Sequence, residues 1–307
     1  MKRILVTGSN GLLGQKLTEL YLKNKEVELI ATGRGADRYP EKGGYVYETM
    51  NIEDADEVMR VVEKYKPECI IHTAAMTNVD ECELNHTGCV SQNIEAVRSV
   101  VEAANRVSAH LVHLSTDFIF DGTSGPYKED VIPNPLSFYG ESKLKAEEII
   151  KQNCKNWAMA RTVLVYGLVA DMSRSNIVLW AKDALENRKA IKVVDDQFRT
   201  PTLAEDLALG CSLIEKHKAQ GVYNISGKDF MSIYELVERV AQYFDLSMDY
   251  VEKTNSLTLK QPAKRPPITG FDITKAQTEL GYEPHSFEEG IGFVQKQFDK
   301  FTSANAT

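Results

Sequence analysis

RILVTGSNGLLG, residues 3–14, runs from apolar residues into glycines at positions 8, 11 and 14, and a helical pattern follows at once. Glycines so spaced let the chain turn tightly, let its backbone approach a pyrophosphate and let the helix pack on the strand it leaves. The first N–H groups of that helix offer donors to an anion. Alone, such a trio is also compatible with an ordinary strand-to-helix turn. At the head of a first βαβ unit it points to a dinucleotide held by Gly8, Asn10, Gly11, Leu12, Leu13 and Gly14.

Outward from that turn, short runs rich in Val, Ile and Leu alternate with longer segments of helical period. VELIATG, ECIIHTAA, HLVHLST and WAMARTVLVYG are the apolar runs, with DADEVMRVVEKY, IEAVRSVVEAANRV and SKLKAEEIIKQ between them. Parallel strands covered on both faces by helices read as continuous apolar runs in this way. The expected fold is therefore α/β, a Rossmann-like doubly wound parallel sheet over residues 1–168. Beyond residue 168 the rhythm changes, and a smaller interwoven α/β substrate lobe is expected over 169–307, with part of 200–226 packing back on the first domain. A helix is expected near 175–187, with Trp180 in the core, and a last helix near 287–300.

The bulk numbers exclude several classes of function. The chain has 307 residues, 43% hydrophobic and 26% charged, and a formal charge of −8 with acids and bases interspersed, so no broad basic surface faces a nucleic acid. The basic cluster KQPAKRPP, residues 260–267, is short enough to be a solvated loop. No run approaches a membrane span, and MKRILVTGSN turns polar too soon for a signal peptide, so a soluble cytoplasmic protein is expected. Cys69, Cys82, Cys89, Cys154 and Cys211 are scattered without a CxxC pair and read as free thiols. His72, His110 and His113 lack metal-ligand spacing, and no metal is expected. The triplets Asn-His-Thr at 85–87 and Asn-Ala-Thr at 305–307 match a glycosylation pattern that the expected compartment makes accidental.

In open parallel sheets ligands bind outside the carboxyl ends of the strands, so the residues after each apolar run matter most. The second run ends in Thr32-Gly33-Arg34 where an acidic residue would hold a ribose 2'-hydroxyl. Arg34 suits a 2'-phosphate, which makes NADP(H) the expected cofactor and NAD(H) the alternative. HLVHLST ends in Ser115 and Thr116, with Asp117 following. In FYGESKLKAEE, Tyr139 and Lys143 stand four residues apart and share one helical face. A lysine cation beside a phenol favours the phenolate, so the Tyr139 pKa is expected to fall toward neutrality, suiting proton exchange with a carbonyl. Taken alone, Tyr-x-x-x-Lys also fits a surface pair.

Together with the glycine turn, these residues resemble the extended branch of the short-chain dehydrogenase/reductase superfamily. AAMTNVDECE (74–83), STDFIFDG (115–122), NPLSFYGESKLKAE (134–147) and DDQFRTPT (195–202) are similar to the dTDP-4-dehydrorhamnose reductase family over nearly the whole chain. The resemblance implies an NADPH-dependent reduction of a 4-keto sugar nucleotide to dTDP-L-rhamnose. In it, Thr116 hydrogen-bonds the substrate oxygen, Asp117 assists Thr116, Tyr139 exchanges the proton, and Lys143 holds the nicotinamide ribose. It further places Ala74 and Ala75 against the cofactor, Thr77 and Val79 near the sugar, and Gln197, Arg199 and Arg265 toward the nucleotide; apart from the resemblance, Asn176, near the start of the amphipathic segment 172–186, is expected to touch the substrate. Phe118 stands where nucleotide-sugar 4,6-dehydratases carry a carboxylate base, which argues for simple reduction. Arg199, Met76 and the stretch RTVLVYG depart from the family pattern near the expected sugar pocket, so Arg199 would either grip a diphosphate or select another anion.

Two alternatives share this resemblance. One is a reductase or 4-epimerase of another nucleotide sugar; the other is a non-catalytic NADP-binding regulatory protein like the methionine adenosyltransferase β subunit. The expected partner is a small-molecule nucleotide sugar, with neither nucleic acid nor membrane, and a homodimer is left open.

Overall fold

The computed structural model describes residues 1–170 and 176–305, with side chains as far as Lys300. Met172 to Ser175 of the expected amphipathic segment, and Ala306 and Thr307 of the C-terminal triplet, lie outside the described residues.

Seven parallel strands form the central sheet. Five come from the first half: β1 (Lys2–Thr7), β2 (Val27–Gly33), β3 (Val46–Thr49), β4 (Cys69–His72) and β5 (His110–Thr116). Then follow β6 (Trp157–Thr162) and, far later, β11 (Gly221–Asn224), after the short strands β7 (Val165–Tyr166), β8 (Ile191–Val194), β9 (Phe198–Arg199) and β10 (Thr202–Leu203). The order is β11-β6-β5-β4-β1-β2-β3, so the sheet is doubly wound about β1, where the chain direction across the sheet reverses. Strand β3 was not singled out by the apolar pattern because as an edge strand it is only half covered: Val46 and Tyr47 are partly buried and Thr49 is exposed.

Alternate residues of each strand feed opposite faces, which is why the runs are apolar throughout. On one face Ile4, Val6, Ile71 and Val112 pack with Leu17 and Tyr21 of α1 (Leu12–Leu22) and with Leu207 and Ile214 of α8 (Ala204–His217). On the other, Leu5, Ile70 and Leu111 meet α2 (Ala55–Tyr65), α5 (Ala96–Val107) and α6 (Phe138–Asn153). Between these, α3 (Val79–Leu84) and α4 (His86–Val90) follow β4, and a π-helical segment, Ser91–Glu95, leads from α4 into α5.

A third core lies apart from the two faces of the sheet, where Val178, Ala181 and Leu185 of α7 (Ile177–Glu186) pack with Leu236, Val237 and Val240 of α9 (Ile233–Tyr243) and Ile291 and Val294 of α11 (Phe287–Asn305). Strands β12 (Met231–Ser232) and β13 (Val251–Thr254) pair with β9 and β8, and α10 (Thr274–Leu280) lies against α8. Trp180 departs from expectation: it is 37% exposed, because Val178, Ala181 and Leu185 form the covered stripe of α7 and Trp180 falls beside it.

Among the described residues no helix is long and apolar enough to cross a membrane, and no group of His, Cys, Asp or Glu could hold a metal ion. All five cysteines are free and buried.

Candidate active site

One cleft of about 690 Å³ runs along the carboxyl ends of the strands, from the glycine turn to the start of α6. At its near end Gly8 has φ +67°, a left-handed backbone that a side chain would strain, and a Cβ there would stand 2.9 Å from the Ala74 backbone. Gly14 is needed for closeness: a Cβ on it would come within 2.3 Å of the Gly8 carbonyl oxygen. The turn is stitched to the next strand by Thr7, whose hydroxyl oxygen accepts from the Thr73 N–H at 3.2 Å and whose carbonyl accepts from the Thr73 hydroxyl at 2.6 Å.

The residues present fit a dinucleotide. Gly11 caps α1 without a side-chain hydrogen bond, and Leu12, Leu13 and Gly14 of the first helical turn line the cleft beside Gly8 and Asn10. Ala74 and Ala75 form part of the same wall. Arg34 lines the cleft beyond β2, 65% exposed and 3.4 Å from Glu53. A second arginine that the sequence analysis passed over, Arg38, lines it too, on a loop held by the Asn10 carbonyl oxygen of the side chain, which accepts from the Arg38 N–H at 2.8 Å. Two cations within five residues of a strand end are a signal that the sequence does carry.

The reacting end is built on β5 and α6. Thr116 ends β5, and its hydroxyl donates to Asp117 Oδ1 at 3.1 Å while its oxygen accepts from the Phe118 N–H at 3.2 Å. Ser137 caps α6, accepting from the Gly140 N–H, and so fixes the first turn that carries Tyr139. Tyr139 lines the cleft with Thr116, and Phe118 meets its ring edge-on with centroids 5.6 Å apart. Beneath it, Met76, Cys82 and Cys89 form an apolar floor. Asn93, not anticipated from sequence, braces that floor: it exchanges hydrogen bonds with the Met76 backbone at 2.9 and 3.0 Å and donates to Ser142 at 3.1 Å.

The electrostatics correct one expectation. Burial pushes the Tyr139 phenol well above the ordinary tyrosine value, and the Asp117 carboxylate adds to the rise while the neighbouring Thr116 side chain opposes it. Lys143 does not draw it down, because burial lowers the ammonium itself to about 8, partly offset by Glu147 one turn along α6. Lys143 Nζ approaches Nε2 of His113 at 3.2 Å. Burial, then the Lys143 charge, hold His113 far below its usual value, so the ring is neutral and accepts. His72 stacks beside it on β4, centroids 5.3 Å apart, with Nδ1 2.8 Å from the Thr7 hydroxyl.

Thr77, Val79, Thr116, Asp117, Asn176 and Arg265 also line the cleft. Asn176 caps α7 and donates to the Gly167 carbonyl at 2.5 Å. Arg265 is clasped by Asp80 at the start of α3, with N···O distances of 3.0 and 2.8 Å. Gln197 and Arg199 are placed differently from what the sequence implied: neither is among the cleft-lining residues, and both are buried, at 6% and 3% exposure. The Gln197 backbone is pinned by the Ile233 N–H at 2.9 Å, and the Arg199 guanidinium is drawn inward by the carbonyls of Phe198, Pro266 and Pro267.

The sequence matches the RmlD substrate binding domain over residues 1–300. The chain belongs to the RmlD family. Members similar to it include the dTDP-4-dehydrorhamnose reductase of Aggregatibacter actinomycetemcomitans, 30% identical over 303 residues that cover 95% of this chain and 97% of that protein. The methionine adenosyltransferase 2 subunit beta of Xenopus tropicalis is 32% identical over 255 residues, 81% of this chain and 74% of that one. Among solved structures, a dTDP-4-dehydrorhamnose reductase from Clostridium acetobutylicum superimposes with a TM-score of 0.85 at 27% identity, covering 97% of this chain and 99% of that one. The Bacillus anthracis dTDP-4-dehydrorhamnose reductase, solved in complex with NADP, gives 0.82 at 26% identity, covering 98% and 100%. The RmlD family thus joins this fold to NAD(P)-dependent oxidoreductases of the extended short-chain dehydrogenase/reductase superfamily.

Proposed function

We propose that this protein is an NADPH-dependent reductase of a 4-keto sugar nucleotide, with dTDP-4-dehydrorhamnose as substrate and dTDP-L-rhamnose as product. The observation that carries it is the meeting of Thr116, Tyr139 and Lys143 in the same cleft that begins at Gly8, with Lys143 one helical turn from Tyr139. NADPH, when bound, supplies the hydride. Tyr139, protonated at neutral pH because burial raises its pKa, gives its proton to the substrate carbonyl oxygen as the hydride arrives at carbon. Lys143, largely cationic below pH about 8, compensates the phenolate that remains. Gly8 to Gly14, with Arg34 and Arg38, would hold the dinucleotide, and Arg265 would meet the diphosphate of the sugar nucleotide.

Phe118 after Asp117 supports reduction over dehydration, since the turn offers no second carboxylate to remove a proton from the neighbouring carbon. The test is NADPH oxidation, followed by loss of its near-ultraviolet absorbance, with the 4-keto sugar nucleotide generated in place and Tyr139→Phe as control. Rapid oxidation that depends on Tyr139 supports the proposal; none, with NADPH binding intact, overturns it.

The match to methionine adenosyltransferase 2 subunit beta favours one second function, an NADP-binding regulatory subunit. NADPH binding without turnover, together with co-elution on a catalytic methionine adenosyltransferase subunit, would select it.

A further inference from the structure

Behind Thr116 lies an ion pair that reduction alone does not require. Asp117 is 2% exposed, and its two oxygens have separate partners. Oδ1 accepts from the Thr116 hydroxyl at 3.1 Å; Oδ2 accepts from the Thr269 hydroxyl and faces Arg199 Nε at 3.6 Å. Arg199 in turn donates to the carbonyls of Phe198 at 2.7 Å, Pro266 at 2.7 Å and Pro267 at 3.1 Å. The segment it holds is itself laced to β9, with Phe198 N–H donating to Pro267 at 2.7 Å and Thr269 N–H to Phe198 at 3.0 Å.

Hydrogen-bond direction follows from the charge. An ionised carboxylate only accepts, so Thr116 must donate to Asp117. One acceptor position on the Thr116 oxygen is filled by the Phe118 N–H at 3.2 Å. With its proton committed to Asp117, Thr116 offers the cleft its remaining acceptor position beside Tyr139. A protonated Asp117 would reverse the sequence: it would donate to Thr116, and Thr116 would be free to donate into the cleft.

We propose that Arg199 is a positioning residue for the reaction: acting through Asp117, it fixes the direction of the Thr116 hydrogen bond and with it whether the Thr116 oxygen presents an acceptor or a donor to the cleft beside Tyr139. The inference rests on the roles given to Thr116 and Tyr139 above. Facing Asp117 are Arg199 from β9, Thr269 from the loop before α10, Thr116 from β5 and Tyr139 from α6, with Arg265 acting on Arg199. Burial raises the Asp117 carboxyl, and Arg199 is the foremost influence holding it down, ahead of Thr269 and Thr116.

A double-mutant cycle on the full-length protein tests this. Arg199→Met should lower kcat about tenfold with KM for NADPH changed by less than about twofold, and in a Thr116→Ala background the same change should cost under about twofold. Arg199→Lys, which keeps a cation, should recover most of the loss. Equal losses in both backgrounds, or none, overturn the proposal. Thr269→Val removes a second Asp117 partner and gives an independent variant should Arg199→Met fail to fold; it should couple to Thr116→Ala in the same sense, and additive losses count against the proposal. Titration of the Asp117 carboxyl by ¹³C NMR, assigned with Asp117→Asn, needs no substrate. There Arg199→Met should raise the pKa and Arg199→Lys should not, and an unchanged titration overturns the proposal. A wild-type protein that fails to oxidise NADPH with the 4-keto sugar defeats the functional assignment alone, and the carboxyl titration then decides whether Arg199 governs Asp117.

Discussion

Lys143 Nζ stands 3.2 Å from Nε2 of His113, a buried ammonium donating to a buried neutral ring. Among the described residues no carboxylate is paired with this cation; Glu147, the foremost charge that raises its pKa, is paired with Arg161 at 2.7 Å. Such a charge is held at a cost to stability, and that cost depends on pH.

Lys143 has its pKa lowered from 10.5 to about 8. Between those values the unfolded chain binds the proton that the folded chain has released, so stability rises with pH there and the contribution is lost as pH falls through about 8. Urea unfolding of wild type and Lys143→Met should show wild type gaining on the variant by up to about 3 kcal/mol between pH about 8 and about 10.5, with the variant the more stable near neutrality. A constant difference across that range would mean that Lys143 is solvated.

Tyr139→Phe removes the proton donor and keeps the ring that packs on Phe118 and Met76. Turnover should fall at least about a hundredfold while NADPH affinity, read by fluorescence titration, stays within a few-fold. Near-normal turnover would take Tyr139 out of the mechanism.

Arg34→Ala and Arg38→Ala should each weaken NADPH more than NADH, since only the former carries the 2'-phosphate that a guanidinium would meet. The difference between the two cofactors should exceed about tenfold for the double variant, measured by calorimetry at fixed salt. Equal loss for both cofactors would place the arginines elsewhere.

Gly14→Ala puts a methyl group 2.3 Å from the Gly8 carbonyl, so α1 must retreat from the turn. NADPH affinity should drop at least about tenfold and the melting temperature should fall by several degrees, as the helix loses its seat on β1. Gly35→Ala, where a Cβ meets nothing within 4 Å but φ is +74°, should lower stability with little effect on affinity.

Much of this was legible in the chain itself, for physical reasons. Strands covered on both faces announce themselves as unbroken apolar runs, and the glycine turn is forced by atoms that leave no room for Cβ. Tyr139 and Lys143 were legible from helical spacing. Their pKa values were not, because burial, which dominates both, depends on α3, α4 and β5 closing around them. Arg199 was misplaced for a related reason: DDQFRTPT gives no hint that its carboxylate partner is Asp117, brought across from the end of β5. Arg38 was readable, a second cation just past Arg34, and was overlooked because the fingerprint position drew attention to the first alone.

Strand β11 seats beside β6 with Gly221, Val222, Tyr223 and Asn224 aligned to Ala158, Met159, Ala160 and Arg161. The nucleotide-binding sheet therefore borrows its outermost strand from sequence that follows four short strands outside it. The sheet cannot close along β6 until the chain has been made as far as residue 224. A chimera that exchanges the elements of the third core between relatives would have to keep α8 and β11 with the first half. A single cut after β6 would leave the apolar edge of that strand exposed to any passing chain.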